Sequence, residues 1–163
     1  MYKKYQRKTI LLYVCGGLAI GICVALIVFI IWVMVLRTEY KQTCLKINDC
    51  ILASTEDQRF ILKDGEKYPL SFEVLEYYNQ YLLDKKSMVF SRKAVEPTDK
   101  SIVLQFSDNT LTFAEIEDGT AVHLIWETPS ETKHYKVRNE NYTFRSLNSY
   151  MKNYLRKTEP LKP

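Results

Sequence analysis

Glycine and histidine are scarce in this chain, and neither is placed where a reaction centre would need it. Of the 5 glycines, Gly16, Gly17 and Gly21 sit in one apolar run, which leaves Gly65 and Gly119 for everything else. That excludes a glycine-rich phosphate loop, and neither a GxSxG nor an HExxH sequence occurs. There are 2 histidines, His123 and His134, and none of the 4 cysteines stands at a zinc-binding spacing. The pair reads as one strand histidine in the fold and one surface histidine, rather than as a metal or acid–base pair. The Asp-Gly turns lack the acidic ladder of a calcium loop. The expectation is a non-enzymatic protein with no cofactor and no metal.

Acidic residues are absent from the first 38 positions, and charge of either sign is absent from Ile10 to Leu36, a run of 27 residues. A soluble helix of that length needs a polar face, and this run has none. About 20 apolar residues cross a bilayer, so residues 10–36 read as a transmembrane segment, with Tyr13 and Trp32 near its ends. Residues 1–9, MYKKYQRKT, form a basic tail carrying Lys3, Lys4, Arg7 and Lys8. The net charge of +4 belongs to that tail, because the other 19 Lys and Arg balance the 19 Asp and Glu. It therefore gives no reason to expect nucleic-acid binding. Four cations before the run, against Arg37 and Lys41 after it, favour a cytoplasmic N-terminus at the cell membrane and an extracytoplasmic C-terminal domain.

The stretch CGGLAIGIC, Cys15 to Cys23, could end a removable signal or accept a lipid, but its context fits neither. Val14 and Ile22 precede the two cysteines where a lipobox needs a small residue. The apolar run also continues for 13 residues past Cys23, where a cleavable core would stop. The reading is an uncleaved signal anchor. Gly17, Gly21 and Ala25 recur every four residues and share a helix face. Such faces let membrane helices approach closely, consistent with a homodimer or with the ordinary glycine content of membrane helices.

Beyond the anchor, residues 37–43, RTEYKQT, read as a juxtamembrane stalk. Residues 44–157 read as a single α+β domain, and residues 158–163 as a disordered tail. Cys44 and Cys50 fall outside the cell in this topology, where a disulfide is permitted. A bridge between two chains and free thiols are the alternatives. Turn sequences KDGE (63–66), SDNT (107–110), EDGT (117–120) and TPSE (128–131) punctuate segments that alternate as half-buried strands do. These segments are 101–106, 110–116, 120–127 and 133–138, with further strands at 87–94, 50–54 and 58–62. In TLTFAEI the alternation changes phase after Phe113, which suggests a bulge. Ser71 and Thr143 are placed to cap two amphipathic helices. The fold expected is one transmembrane helix, then an antiparallel meander of about 5–7 strands packed with two helices.

Tyr77, Tyr78 and Tyr81 crowd the first of those helices. One helix face cannot bury all three, so they form a candidate partner surface, or else rings edging a small core. Asn141-Tyr142-Thr143 has the form of a glycosylation sequon. In outline, the MYKKYQRK tail, the anchor and the unit RFILKDGEKYPLSFEVLEYYNQYLL resemble small membrane-anchored proteins of Gram-positive bacteria. Membrane-tethered immunity proteins are similar in layout too. The resemblance implies an envelope location and assigns no residue a role. The function expected is a binding or accessory module contacting another envelope protein. The alternatives are an immunity or inhibitor protein against an extracytoplasmic toxin or enzyme, and a small-ligand sensor.

Overall fold

A computed structural model describes residues 2–94 and 100–161, with side chains from residue 16 onward except residue 118. The chain divides into two compact units, Met1–Val35 and Leu36–Pro163. In the first, the helix α1 (Tyr2–Ala53) begins. From Gly16 on, its apolar side chains stand exposed, Leu18 at 63% and Ile20 at 67% among them. One 18-residue window has a mean hydropathy of 3.1 with none of it buried. This is a helix long and apolar enough to cross a membrane, and a signal sequence has the same character. Gly17, Gly21 and Ala25 lie on its exposed surface, with open space where a Cβ would project from either glycine. The side chains of Lys3, Lys4, Arg7, Lys8, Tyr13 and Cys15 lie outside the described set.

The second unit is an antiparallel α+β fold with its helices on one side of the sheet. It contains the rest of α1, β1 (Arg59–Lys63), β2 (Glu66–Pro69), α2 (Phe72–Leu83) and β3 (Met88–Ser91). Then follow β4 (Ser101–Phe106), β5 (Asn109–Ile116), β6 (Ala121–Glu127), β7 (Thr132–Arg138) and α3 (Phe144–Leu155). The sheet order is β2-β1-β4-β5-β6-β7-β3. The meander β4 to β7 supplies its centre, and β3 is carried to the far edge beside β7. Since every neighbouring pair is antiparallel, β3 and β4 point the same way, with three strands between them.

Turn chemistry sets the hairpins. Asp64 and Gly65 both adopt positive φ (52° and 82°), the pair that a tight two-residue hairpin requires. In the next hairpin the positive φ falls on Ser107 rather than on the Asp-Asn pair. Thr128 closes the β6–β7 turn, its amide donating to the Glu131 carbonyl at 2.9 Å and its hydroxyl accepting from the Glu131 amide at 3.0 Å. Ser71 accepts from the Val74 amide and Thr143 from the Ser146 amide, so both expected caps form.

Several expectations are corrected. The register is continuous from β4 through β6, so β5 has no bulge. Ala114 and Ile116 simply face the side of the sheet away from the helices, and among the described strands the register shift lies in β3 between Val89 and Ser91. The expected stalk is helix, as are residues 50–53 of the expected strand 50–54. Leu36, Tyr40, Cys44, Ile47 and Ile51 recur at three- and four-residue steps and enter the core. Leu36 therefore belongs to the folded unit and not to the apolar span. The tail is also held. Leu161 donates its amide to the Lys67 carbonyl at 2.7 Å, and the Tyr154 hydroxyl donates to the Pro69 carbonyl at 2.9 Å.

The core lies between the three helices and one face of the sheet. Ile61, Leu104, Phe106, Leu111, Phe113, Leu124, Trp126, Tyr135 and Val137 fill that face. Arg59 closes the end of α1. It donates from Nε to Ser54 Oγ (2.9 Å) and from its terminal nitrogen to the Ile51 carbonyl (2.7 Å) and the Ser54 carbonyl. A cation there also suits the negative end of the helix dipole.

Candidate functional site

The tyrosines expected at a partner surface are mostly core. Tyr78 is 1% exposed and Tyr81 0%, and both rings pack against Phe113, at 5.0 and 5.7 Å between centroids. Tyr78 can be buried because its hydroxyl reaches the Leu147 carbonyl at 3.0 Å. Tyr77 is half-buried, stacked on Tyr150 at 3.9 Å and edge-on to Tyr142 at 5.7 Å. The rings tie α2 to α3 instead of presenting a contact surface.

The disulfide is corrected too. Cys44 and Cys50 are free and share one helix. Six residues of helix separate their Cα atoms by about 9 Å, beyond the roughly 7 Å a bridge can span. Cys44 is buried, and that burial pushes its thiol up to about 12, which makes it unreactive. Burial also raises the half-buried Cys50, with the nearby Asp49 carboxylate adding to it.

The two histidines meet. His123 on β6 stands opposite Lys136, and His134 on β7 opposite Ile125, which sets the imidazoles diagonally on the sheet face away from the helices. Nδ1 of His134 and Nε2 of His123 are 3.2 Å apart with the rings stacked, and one must donate to the other. His123 is fully buried, and its Nδ1 has no partner. Burial, then the positive charge of His134 and Lys136, lowers its pKa to about 4. His123 is thus a neutral imidazole at ordinary pH. Among the described residues, no three His, Cys, Asp or Glu side chains converge to hold a metal. Around the pair the same face carries half-buried Phe60, Leu62, Val103, Gln105, Thr110 and Lys136. No described helix packs over them, since the core contacts of all three helices are made on the opposite face.

A second feature was not visible in the sequence. The first turns of α1 beyond Leu36 and the end of α2 enclose an open groove of about 640 Å³. Tyr40, Leu45, Leu82 and Leu83 give it apolar walls, and Arg37, Lys41, Lys85 and Asp84 line it with charge. Arg37 crosses it to donate to the Lys85 carbonyl at 3.3 Å. Asp84 is already committed. It accepts from the Lys86 amide and from the side-chain amides of Asn141 and Asn139, which hold its carboxyl below the usual range. The sequon residue Asn141 is exposed, and its side-chain nitrogen donates to Asp84. The Tyr40 hydroxyl is buried. It has no hydrogen-bond partner, although Cys44 and Ser87 are among the groups around it.

Compared with protein-family models, with curated proteins and with solved structures, the chain gives no match.

Proposed function

We propose that this protein is a single-pass, membrane-anchored, non-enzymatic binding module. Its N-terminus lies in the cytoplasm, and its α+β domain contacts another envelope protein outside. The observation that supports this most is the seven-stranded sheet with all its helices on one face. With Tyr78 and Tyr81 in the core, the other face is the surface left for a partner, reached through its half-buried residues, since Thr112, Ala114, His123 and Ile125 at its centre are buried. Phe60, Leu62 and Val103 give it apolar contact area, while Lys136 adds a positive charge and Arg138 is paired with Glu117. Such a face suits a partner with an apolar patch bordered by carboxylates.

Photo-crosslinking residues at Val103 and Thr110 of the full chain test this in living cells. Recovery of one stoichiometric envelope protein is the expected result. Capture of the same protein from Lys152 on α3, or of nothing from the sheet face, refutes it. The small-ligand reading is favoured by a separate observation, the groove between α1 and α2.

A further inference from the structure

We propose that the α1–α2 groove holds the headgroup of an anionic phospholipid from the leaflet beside the domain. The inference rests on the reading of α1 as a membrane anchor.

Charge is the first support. Arg37, Lys41 and Lys85 line the groove against one carboxylate, Asp84. That carboxylate is taken up by Lys86, Asn139 and Asn141. Arg37 spends one N–H on the Lys85 carbonyl, and a guanidinium has further donors suited to a phosphate. The walls are the second support. Leu45 is 46% exposed and Leu83 44%, apolar surface that a ligand with a glycerol and acyl portion covers and a free anion does not. Position is the third. In the sequence, Arg37 and Lys41 follow the uncharged run 10–36 by one and five residues. Cations directly after an apolar span are where a chain meets the headgroup layer. A volume of about 640 Å³ is in the range of small-ligand sites.

The test uses the full chain in neutral detergent doped with phosphatidylglycerol or phosphatidylcholine, read by native mass spectrometry. One phosphatidylglycerol retained per chain, with phosphatidylcholine lost, is the expected result. Combining Arg37→Gln, Lys41→Gln and Lys85→Gln should lower that occupancy at least tenfold. Lys46→Gln, an exposed cation on the same helix outside the groove, should not. All three groove cations are exposed, and Lys85→Gln alone should act in the same direction. Equal occupancy in the triple variant, or equal retention of the two lipids, overturns the proposal. Complete displacement by millimolar inorganic phosphate overturns the lipid source in favour of a free anion. Alkaline-carbonate extraction of membranes separates the two readings. A chain that stays in the pellet but retains no phosphatidylglycerol loses only the groove proposal. A chain that is washed out loses the anchor and the lipid source together.

Discussion

Tyr78→Phe and Tyr81→Phe should move stability in opposite directions. The two residues lie three apart on α2, both are at most 1% exposed, and both pack against Phe113. Removing either hydroxyl leaves the ring in place, so the apolar contribution is nearly constant between them. What differs is the hydrogen bond. The Tyr78 hydroxyl donates to the Leu147 carbonyl at 3.0 Å, whereas the Tyr81 hydroxyl is buried with no partner. A made hydrogen bond contributes about 1 kcal/mol net, and a buried unmade one costs about 1–3 kcal/mol. Tyr78→Phe should therefore destabilise by about 1 kcal/mol, and Tyr81→Phe should stabilise by about 1 kcal/mol. For a domain near this size the resulting separation in Tm is several degrees. The assay is thermal unfolding of the full chain in detergent, followed by tryptophan fluorescence. Two variants that fall together by equal amounts would refute the assignment of the hydroxyls.

Other expectations follow from the same packing. His123 titrates near 4 in the fold and near 6.5 when unfolded, so the unfolded chain takes up a proton that the folded chain refuses. This contribution to stability is present above about pH 6.5 and should be lost as pH falls towards 4, by a few kcal/mol. Urea unfolding at pH 7.5 and 4.5 should show that loss, and His123→Leu should remove this part of it. In the native protein a membrane-impermeant maleimide should label Cys50 and leave buried Cys44 unmodified until the domain is denatured; equal labelling would contradict the burial of Cys44. Arg59→Met removes three donations to the end of α1 and should cost about 2 kcal/mol in the same unfolding assay.

Much of this fold is legible in the chain because its signals are local. The DG turns, the alternation of SIVLQF and TAVHLIWE, and the Ser71 and Thr143 caps each act within a few residues. The second half of α1 is missed for a different reason. The charges of RTEYKQT suggest a linker, while the stripe Leu36, Tyr40, Cys44, Ile47, Ile51 runs through it at helical spacing. Reading the spacing ahead of the composition would have found the helix, and with it the impossibility of a Cys44–Cys50 bridge. The histidine contact was within reach, since a TPSE turn sets the β6–β7 register and thereby the diagonal. Burial of Tyr78 depends on the Leu147 carbonyl 69 residues away, and the groove needs α1 beside α2. No local pattern encodes either.

The strand order has a consequence for how the domain is made. β3 belongs to the first half of the folded unit, yet its partner in the sheet is β7, the last strand among the described residues. Until Arg138 has emerged, β3 has no strand to join, and β6 is an open edge. Pairings this distant in sequence are slow to form, because the intervening loop must close before any contact rewards it. A chain arrested before β7 would expose two unpaired edges at once, the kind of surface that recruits a second copy. Addition of β7 settles both in one step, because it lies between β6 and β3.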